Sequence, residues 1–321
     1  MDQARLFLNP VDRVEILTLM DNYVDVLLQN TEMVTRPPLA KGLEIPTSAL
    51  VAEHGLSQLV RVYSGGTPHC LLFDTGYSTY GVPHNIDLLG VDLGNIEAVV
   101  MSHGHMDHTG SLYPILERLN RPVPVVAHPE AFHGPRFFGL HDGRKLRFPV
   151  TLKREDLARL GGEVIESREP VLLADGTVLV TGEVERATPF EKGLPNATLE
   201  RNGKEEKDPI REDQALAIHL QGKGLVIVSG CAHAGIINTI LHAAKVTGVR
   251  EIYAVIGGFH LSGPLFEPII EKTVEALSEM HLKMIVPMHC TGWKAIQRFA
   301  EAFPDAFVLN SVGTTFSLSS R

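Results

Sequence analysis

The stretch Ser102-His103-Gly104-His105-Met106-Asp107-His108-Thr109-Gly110 holds the pattern His-x-His-x-Asp-His, three imidazoles and a carboxylate close together in the chain. Residues two apart on extended chain project to one side, so His103 and His105 can address one ion. Asp107 and His108 fall where the chain turns into a helical pattern, Ser111–Leu119, and can address a second. Imidazole and carboxylate donors suit Zn²⁺, as one ion or two, and the same mix tolerates Fe or Mn. Three later histidines extend the set: His233 in Ser229-Gly-Cys-Ala-His-Ala-Gly235, His260 in Ile256-Gly-Gly-Phe-His260, and His289 in Pro287-Met-His-Cys-Thr-Gly292. Each follows a short apolar run, the strand end at which α/β proteins gather their sites.

The elements that must position these residues are legible as hydrophobic periodicity. Strand character recurs at Val14–Met20, Leu59–Tyr63, Cys70–Phe73, Ala98–Met101, Val123–Ala127, Val178–Thr181, Ala215–Leu220, Leu225–Val228, Ile252–Ile256, Met284–Pro287 and Ala306–Leu309. Helical stripes lie between several of them. Gly235–Val246 aligns Ile236, Ile240, Ala243 and Ala244 and stops at Gly248; a second helix opens at Pro268, and Trp293–Phe303 ends before Pro304. The alternation predicts an α/β layered fold with hairpins such as Val171–Thr181 adding antiparallel pieces, and the 321 residues read as a single domain. Two segments break the pattern and read as loops. One, 131–147, carries Phe132, Phe137, Phe138, His133 and His141; the other, 185–213, is rich in charge, Pro, Gly and Asn. Long loops in compact domains are solvated excursions or functional covers, and these two are candidate lids over an active site.

Composition narrows the partners. Lys and Arg number 29 against 38 Asp and Glu, a net charge of −9, which disfavours a phosphate backbone or an anionic membrane surface. Three cysteines build no disulfide framework and fit a reducing compartment. The N-terminus shows no signal-peptide pattern, and no apolar run approaches the roughly 18 residues of a membrane span. The expectation is a soluble, cytoplasmic protein acting on a small molecule, with no nucleic-acid or membrane partner.

The His103–His108 motif, the Asp74-Thr-Gly turn, Gly230-Cys-Ala-His233 and His289 together resemble the metallo-β-lactamase fold superfamily, from roughly Val14 to Phe316. More narrowly, Ala52-Glu-His-Gly-Leu-Ser57, Thr181-Gly-Glu-Val-Glu185 and the segments around Cys231, His260 and His289 resemble metal-dependent hydrolases related to an archaeal pterin synthase of methanopterin formation. The resemblance implies a four-layer αβ/βα sandwich with metals in a cleft at one edge. It implies His103 and His105 as ligands of one site, Asp107, His108 and His289 as ligands of the other, and Asp74 as the group that orients a ligand. Two departures stand out. The usual third histidine of the first site is absent after Val180, where the chain reads Thr181-Gly182-Glu183, and the usual bridging aspartate is replaced by Cys231. His233 is the candidate for the missing imidazole, with Glu183 or Cys231 as alternative donors. Cys290 reads as packing, and His54 and His260 as groups facing the substrate cleft. His69, His84, His128, His219, His242 and His281 read as surface or packing residues.

Three functions follow. The first is a hydrolase in which metal-activated water attacks an ester or phosphoester, with Asp107 accepting a hydrogen bond from that water. The second is a transferase that joins a dihydropterin diphosphate to an aryl ribofuranosyl phosphate, as in the archaeal relative, motivated by the lost carboxylate at Cys231. The third is a catalytically silent metal-binding sensor, which the intact His-x-His-x-Asp-His motif disfavours. Secreted β-lactamase, nuclease and flavodiiron branches lack the export signal, basic channel or added domain they would need here.

Overall fold

The computed structural model of the chain describes residues 5–40 and 42–321, so the N-terminal reading falls partly on residues outside them. The first half of the chain lays down β1 (Arg13–Met20), β2 (Val34–Thr35), β3 (Ser57–Ser64), β4 (Thr67–Phe73), β5 (Ala98–Val100) and β6 (Val123–Ala127). Helices α1 (Gly81–Leu89), α2 (Met106–Thr109) and α3 (Leu112–Leu119) intervene. Next come β7 (Arg136–Gly139), β8 (Lys145–Phe148), α4 (Arg154–Arg159), β9 (Gly162–Glu166), β10 (Val171–Leu173), β11 (Val178–Val180), β12 (Ala197–Arg201) and β13 (Lys204–Lys207). The chain closes with β14 (Ala215–Leu220), β15 (Gly224–Ser229), α5 (Ile236–Thr247), β16 (Ile252–Gly258), α6 (Ile270–Ser278), β17 (Met284–Met288), α7 (Trp293–Ala302) and β18 (Thr315–Ser319).

Two large sheets face each other, ordered β2-β18-β1-β3-β4-β5-β6-β9 and β10-β11-β14-β15-β16-β17. Side-chain alternation explains the layering. On β15, Val226 and Val228 point into the core between the sheets, while Leu225 and Ile227 point out against α5. On β5, Val100 joins the inner core and Val99 packs outward with Ile115 and Leu116 of α3. Strands buried on both faces read as near-continuous apolar runs, which is why they are visible in the sequence. The result is the expected αβ/βα sandwich. The parallel strands β4, β5 and β6 of one sheet and β15, β16 and β17 of the other deliver their carboxyl ends to the same edge. Among the described residues, no helix is long and apolar enough to cross a membrane.

Two expectations are corrected. Ala306–Leu309 is not a strand, because only Phe307 bridges β17 while its N–H is taken by Phe303. The terminal strand is instead β18, whose alternating Thr-Phe-Ser-Leu-Ser buries Phe316 and Leu318 between polar neighbours. The segments read as loops also form structure: β7 and β8 from the first and β12 and β13 from the second pair as a separate antiparallel sheet, β13-β12-β7-β8. Asn202 and Gly203, both at positive φ, make the tight hairpin between β12 and β13.

This small sheet is fastened to the body by buried charge. Glu130, after β6, accepts a hydrogen bond from Arg201 of β12 at 2.5 Å and another from Arg168. Arg136 of β7 reaches Asp208 and Glu212 at 2.5 and 2.7 Å, which ties the two segments together. Burial raises the Glu130 carboxyl, but the Arg201 and Arg168 guanidiniums outweigh it and hold the group down to about 2. A depressed carboxyl stabilises the fold fully above its ordinary value of 4.5 and loses that contribution as pH falls through about 2. Urea titrations between pH 5 and about 2 are expected to show this acid-side loss in the native chain and a flatter profile in Glu130→Gln.

Candidate metal centre

The site begins with one buried carboxylate. Asp74 follows β4 in the left-handed region (φ 59°) and is fully buried. Its Oδ1 accepts the backbone N–H of Ser102 at 2.7 Å, and its Oδ2 accepts the Ser102 hydroxyl at 2.6 Å and His108 Nδ1 at 2.7 Å. A carboxylate only accepts, so Nδ1 of His108 carries a proton and Nε2 is the nitrogen that faces the cluster, free to present its lone pair to a cation that displaces its proton. The Ser102 hydroxyl, having donated to Asp74, accepts from His103 Nδ1 at 2.9 Å, so Nε2 of His103 presents a lone pair. Asp74 therefore sets the tautomer of both imidazoles. Gly230, at the end of β15, lets the second sheet approach this node: a Cβ there would lie 2.2 Å from Ser102 Oγ.

Around these two Nε2 atoms the other predicted residues converge. His103 Nε2 lies 3.0 Å from His105 Nδ1 and 3.2 Å from His233 Nε2. His108 Nε2 lies 3.1 Å from Cys231 Sγ and 3.2 Å from His289 Nε2, and His289 Nε2 is 3.3 Å from Asp107 Oδ2. One group is thus His103, His105 and His233, and the other is Asp107, His108, Cys231 and His289, all buried, with the ligand atoms of each within 4.8 Å. His233 and Cys231 were alternatives in the sequence; the structure brings both in, one to each group.

Glu183 is not brought in. Its carboxylate sits partly exposed in a separate cleft, 3.1 Å from Arg211 and 3.7 Å from Arg168, because guanidiniums on both sides capture it before it can reach the histidines. His54 lies at the rim, its ring 5.0 Å from that of His289 and its Nε2 3.9 Å from Asp107. His260 packs at a tilt against His233, with ring centres 4.2 Å apart. Cys290 is buried and its thiol donates to the Cys231 carbonyl at 3.5 Å.

Sequence reasoning missed the residues that hold His289. Asp21 accepts its backbone N–H at 2.9 Å, Asn22 donates to its carbonyl at 3.0 Å, and Asn310 donates to Asp21 at 2.7 Å. The available signal was the polar pair Asp21-Asn22 directly after an apolar strand.

The electrostatics fit cation binding. Burial, and then the neighbouring imidazoles, push His103 and His233 far below the ordinary range, and burial pushes His105 to about 3. These rings are neutral at neutral pH, with their nitrogens crowded against one another. His108 is the exception: burial opposes its charged form, but Asp74 and Asp107 hold it up at about 9. His108 and His289 in turn hold the Asp107 carboxyl low against its burial. Nδ1 of His233 is buried with no partner. Buried imidazole nitrogens, a carboxylate and a thiol packed within hydrogen-bond distance of one another form a donor set for a borderline-soft divalent ion.

Above the donors lies a cavity of about 410 Å³. Phe138 and Leu140 from segment 131–147, Leu194 from segment 185–213, and Leu265 and Phe266 form its walls, and Phe148 stacks on His105 at 4.9 Å. No Lys or Arg lines it among the described residues.

Comparison with known proteins agrees with the fold and the motif. Residues 55–230 match the family model described as the metallo-beta-lactamase superfamily. Over 308 residues the chain is 36% identical to 7,8-dihydropterin-6-methyl-4-(beta-D-ribofuranosyl)-aminobenzene-5'-phosphate synthase of Methanocaldococcus jannaschii, covering 92% of this chain and 94% of that protein. An uncharacterized protein of the same organism is 32% identical over 266 residues, 82% of this chain and 92% of its own. A crystal structure described as a metal-dependent hydrolase of the beta-lactamase superfamily superposes with a TM-score of 0.71 at 27% identity, covering 95% of this chain and 99% of that one.

The Asp74 node makes a specific prediction. Asp74→Asn places an amide donor where two donors now point, so the tautomers of His103 and His108 are no longer fixed. Zn²⁺ affinity, read by chelator competition, is expected to fall about 10–100-fold. Unchanged affinity would show that the ligands need no such orientation.

Proposed function

The chain belongs to the metallo-beta-lactamase superfamily, and from that premise we propose that it is a metal-dependent enzyme that cleaves an ester or phosphoester bond in a small molecule with a flat, apolar body, using water as acceptor. The observation that carries the reading is the convergence of His103, His105 and His233, and of Asp107, His108, Cys231 and His289, on the floor of an apolar cavity. These residues fit one or two divalent ions, of which Zn²⁺ suits the thiol and imidazoles best. A bound ion supplies Lewis acidity and the positive charge that the cavity walls lack.

The chain's own residues do the rest. The faces of Phe138, Phe148 and Phe266 take up the planar part of the substrate and exclude bulk water. That leaves the scissile bond over the donor cluster. Asp107, held ionised by His108 and His289, accepts a hydrogen bond from the attacking group and orients its lone pair toward the bond. His54, at the open rim beside Asp107, contacts the part of the substrate that points to solvent. The small sheet β13-β12-β7-β8 acts as the lid, since its residues wall the cavity.

A second reading keeps the same cavity and changes the acceptor. Cys231 stands where a carboxylate would otherwise share in handling water, and the full-length similarity to a pterin synthase supports transfer to an aryl ribofuranosyl phosphate. A single product analysis separates the two. Zn²⁺-loaded protein is incubated with a dihydropterin diphosphate, with and without the aryl acceptor. Release of diphosphate without acceptor supports hydrolysis, release only with acceptor supports transfer, and no release with either removes the pterin reading.

For the hydrolase, a panel of aryl esters, lactones, phosphomonoesters and phosphodiesters is expected to give turnover in at least one class. His105→Ala and His289→Ala should each lower kcat/KM by more than the roughly 10–100-fold that loss of an orienting partner costs. Metal-loaded protein inert across this panel and the pterin pair would overturn the enzyme reading.

A further inference from the structure

His260 is held in place at a conformational cost. Its φ of 48° lies in the left-handed region, which is unfavourable for a residue with a side chain and is kept where surrounding structure demands it. The chain leading to it passes only because Gly258 has no side chain, since a Cβ there would lie 2.4 Å from the Gly230 carbonyl and 2.8 Å from Cys290 Sγ. The ring that results lies tilted against His233, with centres 4.2 Å apart, and meets the Phe266 ring edge-on at 4.5 Å. Its Nδ1 is buried without a partner, as is Nδ1 of His233. One ligand atom each from Cys231, His233 and His260 lie within 4.8 Å of one another. Buried imidazole nitrogens without partners, on two residues that also converge with a thiol, are a desolvation cost that a bound cation offsets.

We infer that His260 is a metal ligand, completing with Cys231 and His233 a thiol–imidazole–imidazole seat for a soft divalent ion of the Zn²⁺ or Cd²⁺ class. The inference rests on the metal-centre reading above and extends it. His233 belongs also to the group with His103 and His105, and Cys231 to the group with His108 and His289, so the new seat lies between the two. Asp107 and a Cys231 thiolate are the anionic donors of the whole cluster. Three divalent ions at such separations would repel one another strongly, so the seat is an alternative position for one ion of a pair. The strain at His260 and the bare backbone at Gly258 are then explained together: both serve to bring a donor over the midpoint of the cluster.

The test uses the full chain loaded with Zn²⁺ or Co²⁺, with metal retention measured by chelator competition and thiolate-to-cobalt absorption read in the near ultraviolet. His260→Phe keeps a ring against His233 and Phe266 but offers no donor, whereas His260→Cys restores one. The expected result is that His260→Phe weakens retention of one metal equivalent at least about tenfold and changes the Co²⁺ spectrum, while His260→Cys stays within a few-fold of the native chain. A His260→Phe variant that matches the native chain in stoichiometry, affinity and spectrum overturns the inference, and so does equal loss in both variants, which would mark a packing role. His105→Ala serves as the control for the underlying reading. If it also leaves metal content unchanged, the metal centre itself is misassigned; if it loses metal while His260→Phe does not, only the role of His260 fails.

Discussion

The Asp74 carboxylate is the interaction on which the rest of the site depends. A buried anion without partners would be untenable, and here it is satisfied by the Ser102 N–H, the Ser102 hydroxyl and His108 Nδ1. Because the hydroxyl must donate to Asp74, it can only accept from His103. One charge thus fixes two protons on two different rings. With both Nε2 atoms directed into the cluster, the remaining donors are arranged about them, and the distance between the sheets is limited by how closely Gly230 can approach Ser102.

The second half of the chain answers this node from across the cleft. β15 ends in the turn bearing Cys231 and His233, and β17 ends in His289, itself in the left-handed region at φ 53°. Asp21 and Asn22, immediately after β1 of the opposite sheet, grip the His289 backbone on both sides. Each sheet therefore supplies ligands to the cluster and also a brace for the other's ligands. Relative movement of the sheets would break Asp21–His289 and open the Gly230 contact together, so the apolar core between them, with Val100, Val226 and Val228, serves the site as much as the fold.

What the sequence revealed follows the range of the interactions involved. His103 to His108 are contiguous, so their spacing alone carries the geometry, and His233 and His289 are marked by apolar strands that end just before them. Glu183 misled for the opposite reason: it also follows a strand, β11, but its direction is decided by Arg168 and Arg211, which come from distant segments. The sequence left His233 and Cys231 as alternative donors. In three dimensions Ala232, at φ 52°, turns the chain between them, and one side chain goes to each group. The strands within 131–147 and 185–213 were obscured by composition. Their charge and glycine content reads as loop, although Asn202-Gly203 flanked by Leu199 and Glu206 is a hairpin signal, and the pairing of β7 with β12 joins residues some sixty apart.

The charge balance of the proposed centre bears on the substrate. Asp107, a Cys231 thiolate and Asp74 bring three negative charges to the cluster, against four positive ones for two divalent ions. The cavity above is apolar and, among the described residues, contributes neither Lys nor Arg, so little in its walls would compete with the centre for an anion or screen one bound there. A substrate whose leaving group or oxyanion is negative therefore gains most by placing that group on the floor of the cavity. Its apolar remainder then lies against Phe138, Phe148 and Phe266. On the proposed reading, charge is recognised at the floor and shape at the walls, which come from residues 138–148, Leu194 and Leu265–Phe266. Variation in those wall residues would then change which ring system enters while leaving the donor cluster intact.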